Sequence, residues 1–211
     1  MSLSFAAAGI SALETATAMG MPVALAPIDS TFVRLHESGL RLILASDGVY
    51  IEACSSRLYA LRRVAPCATP FGSVAPQLLL RHGPLPRALL DRFSEMAQTA
   101  HPREAAALAI VRDGSGYELH IPPSNGQTGR ITYDDTGYAD DAMVFDLHSH
   151  GPYSAVFSAT DDVSDRSRGV PHISMVLGHC GSASTIVCAA RLCVGPYLLN
   201  LSRHEITEIL R

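Results

Sequence analysis

Most of this chain is cut into short apolar runs by turn-forming residues, and that punctuation restricts it to a strand-rich fold. Thr31–Leu35, Leu40–Ala45, Val49–Ala53 and Leu58–Val64 follow one another closely, with Ser46-Asp47-Gly48 as the turn signal between the second and the third. A Pro-rich passage from Pro66 to Pro76 interrupts the pattern. The expected boundary falls there, between an N-terminal β-rich extension (residues 1–74) and a second domain (75–211). Gln77–Arg81 reads as a strand. From Pro86 to Ala100 the apolar residues Leu89, Leu90, Phe93, Met96 and Ala97 recur at helical spacing, and Pro86 suits a helix start.

Beyond Pro102 strands return at Ala105–Val111, Tyr117–Ile121, Arg130–Tyr133 and Ala142–Leu147, with Gly114-Ser115-Gly116 read as a hairpin turn. Ser158-Ala159-Thr160-Asp161 has the capping-box pattern of a helix start, two strands follow near His172–Leu177 and Ser184–Val194, and Ser202-Arg203-His204-Glu205 opens a C-terminal helix. A short helix is also expected around Ile10 to Met19, ending at Gly20. Helix, strands, helix, strands: the fold class is α/β (α+β). With 211 residues, 47% of them hydrophobic, there is enough chain for a sizeable core.

Composition narrows the function. A net charge of −4 provides no basic face for nucleic acid phosphates. No apolar run is long enough to cross a bilayer, and the Ala-rich stretch from Ser2 to Ala26 lacks the positive start of a signal peptide. Five cysteines without a CxxC pair read as reduced thiols, so the expected setting is cytoplasmic. All sixteen basic residues are Arg, which leaves no lysine to accept a lysine-linked modifier.

The chemistry concentrates in Asp146-Leu147-His148-Ser149-His150 and in Ser158 and Asp161. Residues two apart on a strand face the same side, so His148 and His150 can address one point. The capping box puts Asp161 in the first turn of a helix that can fold back over the strand end. Two imidazoles and a carboxylate leave one position of a tetrahedral Zn²⁺ open, as in catalytic rather than structural sites. The plain alternative is that the histidines are polar strand-end residues and that Ser158 and Asp161 only cap a helix.

The pattern H-x-H-x7-S-x2-D, following a helix, a Glu and a run of strands, resembles the JAMM/MPN+ (JAB domain) metalloprotease family over about residues 75 to 211. The resemblance implies a cytidine-deaminase-like mixed β-sheet flanked by helices. It implies zinc on His148, His150 and Asp161, with Ser158 helping to stabilise the tetrahedral oxyanion. An upstream Glu acts as general base in that family. Glu104 is the expected one, since it follows the Pro86–Ala100 helix at the edge of the next strand, whereas Glu95 lies within the helix and Glu118 in a later strand.

Pro102-Arg103-Glu104, Asp146 to Gly151, Phe157 to Asp162 and the stretch Ser46 to Glu52 together resemble a bacterial subgroup, the PRTRC system protein A family. PRTRC cassettes also encode a ThiF-related adenylating enzyme. That company implies a protein or peptide substrate, ubiquitin-like or carrier-like, for a zinc-dependent peptidase or isopeptidase. The different reading is a non-catalytic MPN scaffold that binds partner proteins. Gly151 departs from the eukaryotic pattern, where Pro commonly follows the second His, and is expected to loosen the loop. No equivalent of the insertions with which eukaryotic members grip ubiquitin is visible.

Other motifs fail. His204-Glu205 has Glu at position 208, so H-E-x-x-H is absent, and no G-x-S-x-G elbow, P-loop or deaminase P-C-x-x-C occurs. His179-Cys180 reads as a structural pair, Cys188 and Cys193 as core residues, and Asp162 and Asp165 as solvated or as partners of the helix dipole rather than as ligands.

Overall fold

A computed structural model of the chain describes residues 11, 13–15, 17–112, 116–134, 136–138 and 142–210. The chain divides into two compact units, Met1–Arg81 and His82–Arg211. The division lies seven residues beyond the expected 74/75 boundary because the strand Gln77–Leu80 pairs backward with Leu58–Leu61 and so completes the first sheet. The Pro-rich passage is a loop inside the first unit, not a linker.

The first unit is a five-stranded sheet in chain order: β1 (Val23–Leu25), β2 (Gly39–Ala45), β3 (Gly48–Cys54), β4 (Leu58–Pro66) and β5 (Gln77–Leu80). β2 to β5 form an antiparallel meander, whereas β1 runs parallel to β2. β2 and β3 are joined across Ser46-Asp47, as the turn signal indicates, with Ala45 opposite Gly48. Ile43, Tyr50, Tyr59 and Leu61 form the centre of a core on which Phe32, Leu35, Phe71 and Val74 pack.

The expected strand at Thr31–Leu35 does not form. Its backbone is claimed by side chains instead: Leu35 N–H donates to Glu52 Oε1 at 2.8 Å, and the Val33 carbonyl accepts from Arg41. Glu52 is fully buried and also accepts from Tyr59 Oη at 2.8 Å and from Arg41 Nε, so its charge is paired and its oxygens are satisfied. The described residues between 11 and 18 are helical, and Gly20 follows them at φ +63°, as expected.

The second unit opens with α1 (Arg87–Ala100), which buries Leu90, Phe93 and Ala97 along one stripe, with Pro86 at its N-cap. Its six-stranded sheet has the order β13-β12-β11-β10-β6-β7, built from β6 (Ala106–Val111), β7 (Tyr117–His120), β10 (Met143–Ser149), β11 (His172–Gly178), β12 (Val187–Val194) and β13 (Tyr197–Asn200). β6, β10 and β11 are buried along their whole length; β6 is accordingly all apolar, whereas β10 and β11 also bury Asp146, His148, Ser149, His172 and Ser174.

Only the β10–β11 pair is parallel among the described strands of this sheet, and the crossover between them is α2 (Ala159–Ser167). Ligand sites in open α/β sheets lie where such a crossover leaves the carboxyl end of a strand. Two short strands, β8 (Ser124–Gln127) and β9 (Arg130–Tyr133), form a separate hairpin. α3 (Arg203–Glu208) ends the chain with a second capping box, Ser202 with Glu205. The mixed sheet flanked by helices is the α/β fold expected from the sequence.

Two thirds of the Gly114-Ser115-Gly116 turn (residues 114 and 115) lies outside the described residues, but β6 and β7 on either side pair antiparallel, Val111 opposite Tyr117. No described helix is long and apolar enough to cross a membrane.

Candidate metal centre

β10 ends in His148 and Ser149, and His150 follows at once. The strand alternation puts Asp146 and His148 on one face and turns Ser149 the other way. There the Ser149 hydroxyl accepts Ala105 N–H at 2.9 Å, and Ser149 N–H donates to the Ala105 carbonyl at 2.9 Å. Ser149 thus fastens the strand end to the residue beside Glu104. His150 is fixed by its own N–H, which donates to the Leu177 carbonyl on β11 at 2.8 Å.

The next corner is not loosened by glycine, contrary to expectation. Gly151 adopts φ +53°, a Cβ there would lie 2.4 Å from the Pro102 carbonyl oxygen, and its own carbonyl accepts Cys180 N–H at 2.8 Å. Only glycine fits this close, left-handed turn without strain.

Asp161 reaches the histidines from the first turn of α2, as the capping box requires. Ser158 Oγ accepts Asp161 N–H at 3.2 Å, and Ser158 N–H donates to Asp161 Oδ2 at 2.6 Å. His148 Nε2 and His150 Nε2 are 3.2 Å apart, His148 Nε2 is 3.4 Å from Asp161 Oδ1, and His150 Nε2 is 3.5 Å from Asp161 Oδ2. His150 Nδ1 faces the Ser154 carbonyl at 3.2 Å, a partner that would hold a proton on Nδ1 when Nε2 is given to an ion.

Two imidazole nitrogens and a carboxylate therefore converge, and they are among the groups of residues that could hold a metal ion. Zinc–ligand bonds of about 2.0–2.1 Å place the ligands on a tetrahedral edge of roughly 3.3–3.4 Å, so the observed separations fit such an ion.

Burial pushes the Asp161 carboxyl up, but hydrogen bonds from His148 and His150 outweigh it and hold Asp161 well below the usual carboxylate range. The Asp161 hydrogen bond in turn raises His150, against the effect of its burial. Negative charge is thus fixed where a cation would sit.

Glu104 is 7% exposed between α1 and β6, and its N–H donates to the Gln127 carbonyl of β8 at 3.1 Å. It lines a cleft of about 760 Å³ together with His150, Asp161, Ser158, Tyr153, Val156 and Ile131. Burial raises its pKa above the ordinary glutamate value, more than His150 and His148 lower it. The rivals stand elsewhere: Glu95 is exposed on α1, and Glu118 pairs with Arg112 at 3.2 Å on the outer strand. The hairpin presses on Glu104, since a Cβ on Gly126 would lie 2.0 Å from its carbonyl oxygen. Ser158 is exposed at the same cleft, its oxygen accepting the cap hydrogen bond and its O–H left to donate.

Sequence reasoning missed the groups behind the ligands. Asp146, 2% exposed, accepts from Tyr133 Oη at 2.8 and 2.9 Å and from Arg168 Nη2 at 2.5 Å. This joins β9 and the residue after α2 to the strand that carries His148. The D-x-H-x-H alternation already put Asp146 on the face of His148, which was the available signal. Asp165 is not solvated as expected: it is 4% exposed and paired with Arg191.

Residues 86–192, just over half of the chain, match the family model described as prokaryotic homologs of the JAB domain. The chain belongs to that family. JAB domains include metalloisopeptidases, and their prokaryotic homologs are often catalytically inactive. The match falls on the unit that holds His148, His150, Asp161 and Glu104. Residues 11–81, within the first unit, match a domain of unknown function, DUF2016.

Among solved structures, the solution structure of protein DSY2949 from Desulfitobacterium hafniense is 17% identical, covering 55% of this chain and 87% of that one at a TM-score of 0.35. No curated protein matches the chain.

Proposed function

We propose that this JAB-family chain is a zinc-dependent peptidase or isopeptidase of the JAMM type. The observation that carries the reading is the convergence of His148, His150 and Asp161, two of which, His150 and Asp161, line one cleft with Glu104 and Ser158. His148, His150 and Asp161 would hold the ion. Bound there, zinc would supply Lewis acidity, polarising a carbonyl and bringing the pKa of a water to about 7.

The chain's own residues supply the rest. Glu104 takes a proton from the attacking water, the water oxygen bonds to the carbonyl carbon, and the Ser158 hydroxyl donates to the oxyanion. When the carbon–nitrogen bond breaks, Glu104 returns the proton to the leaving amine. Burial favours this role, since a carboxyl raised above its usual range is a stronger base than an exposed one.

The substrate in this reading is a protein or peptide, ubiquitin-like or carrier-like, handled beside a ThiF-related adenylating enzyme in a bacterial PRTRC cassette. The deciding experiment incubates zinc-loaded protein with carrier-protein fusions encoded by neighbouring genes. Cleavage after the carrier's C-terminus, lost in Glu104→Gln, is expected. Zinc-loaded protein that cleaves none of them yet binds them stably would replace the enzyme with a scaffold.

A further inference from the structure

We infer that Arg191 is the positioning residue of this centre, docking α2 so that Ser158 and Asp161 stay in register with the two histidines. What is positioned rests on the zinc reading above; the clamp itself does not.

A nine-residue helix is marginal alone and is ordinarily held by an apolar face. α2 has none: its one buried residue is Asp165, and Val163 is 70% exposed. The helix is docked by charge instead. Arg191, 3% exposed on β12, carries its guanidinium to two points at the start of the helix and one in its second turn. Its Cζ lies 3.9 Å over the ring of Phe157. Nη1 is 2.5 Å from Asp162 Oδ1, and Nε and Nη2 are 2.7 and 2.6 Å from Asp165 Oδ2.

Phe157 immediately precedes Ser158 and Asp162 immediately follows Asp161, so these contacts bracket the capping box. Asp162 and Asp165 are three residues apart, hence on one helix face. A planar fork can join both and still stack on a ring, which a lysine point charge cannot. Phe157 also meets the ring of His148 edge-on at 6.2 Å, so the same clamp touches a ligand from the other element.

Asp165, His172 and Cys193 bring donor atoms within 4.8 Å of one another and are all buried, which raises the question of a second ion. The contacts assign this trio to the anchor. Asp165 Oδ2 already accepts from Arg191 Nε and from the Cys193 thiol at 3.3 Å, with Arg191 Nη2 in ion-pair contact, and His172 Nε2 stands 3.6 Å from Oδ1. A dication there would sit beside a guanidinium and be repelled by it. Burial, followed by the Asp165 charge, also raises the Cys193 thiol, which keeps its proton.

The test compares wild type with Arg191→Lys and with a triple variant, D162N/D165N/R191M. The triple variant removes the ion pairs as a set and avoids a lone buried charge. Hydrogen exchange is measured on metal-free protein, and Co²⁺ is titrated to read affinity and d–d bands.

Amides of residues 157–163 are expected to exchange at least about tenfold faster in the triple variant, with β10 and β11 protected as before. Co²⁺ affinity should fall on the order of 10- to 100-fold with shifted bands, as for other residues that orient metal ligands. Arg191→Lys should lie between, and it carries the test if the triple variant does not fold. Native protection of 157–163, or an unchanged cobalt spectrum and affinity, overturns the inference. So does a thiolate-to-cobalt band that disappears in Cys193→Ser, because it would place a metal in the trio. A wild type that binds no metal refutes the zinc reading alone, while faster exchange of 157–163 would still uphold the clamp.

Discussion

Ser158 and Asp161 cap one another: Ser158 Oγ accepts Asp161 N–H at 3.2 Å, and Asp161 Oδ2 accepts Ser158 N–H at 2.6 Å while facing His150 Nε2 at 3.5 Å. The carboxylate that terminates the helix ladder is therefore the one offered to a cation. Local folding and site assembly share a single group.

Asp161→Asn separates the two roles. An amide oxygen still accepts the Ser158 N–H, so the helix start should survive within about 1 kcal/mol. The lost charge should weaken zinc at least about 100-fold. Zinc content by mass spectrometry together with thermal unfolding checks this, and a normally loaded Asp161→Asn would remove the carboxylate from the ligand set. Wild type should hold about one zinc per chain, and His148→Ala should lose it.

Glu104→Gln tests the base. The amide fills the same space and cannot take a proton, so zinc occupancy should stay while turnover on a carrier fusion drops on the order of 10²- to 10⁴-fold. Undiminished turnover would assign the base elsewhere.

Gly126→Ala tests the hairpin. The new methyl would meet the Glu104 carbonyl oxygen at 2.0 Å, and backbone must move to admit it. A loss of about 1–3 kcal/mol in denaturant unfolding is expected, with turnover falling more than zinc affinity because Glu104 is displaced and the ligands are not.

Acid should release the α2 anchor. Burial works to raise the Asp165 carboxyl, but His172 and Arg191 outweigh it and hold it at about 2. A carboxylate depressed in the folded state stabilises fully above its unfolded value near 4, and that contribution fades as pH falls toward 2. The linkage amounts to about 2 kcal/mol. Urea unfolding of wild type between pH 5 and pH 2 should show the decline. Asp165→Asn, weaker at pH 7, should show a shallower one.

The capping boxes, the helix at Arg87–Ala100 and the strand carrying His148 were legible in the sequence because each rests on local spacing. The place of Glu104, between that helix and β6, was legible from order along the chain. What escaped depends on distant partners. Ser124-Asn125-Gly126-Gln127 has the composition of a turn and becomes a strand only by pairing with Arg130–Tyr133. Thr31–Leu35 has the composition of a strand, yet Glu52 and Arg41 take its backbone hydrogen bonds. Asp165 reads as a solvated helix acid until Arg191, twenty-six residues on, covers it.

The corner after the second histidine has a consequence for how such sites can be exchanged between relatives. Gly151 turns with positive φ against the Pro102 carbonyl, whereas proline demands φ near −65°. Proline in place of Gly151 would need the opposite backbone handedness, so that single substitution does not fit this loop. The transplantable unit is the segment 150–154 together with the 102–104 stretch it leans on. A chimera that splits them inherits the ligands without the corner that aims them.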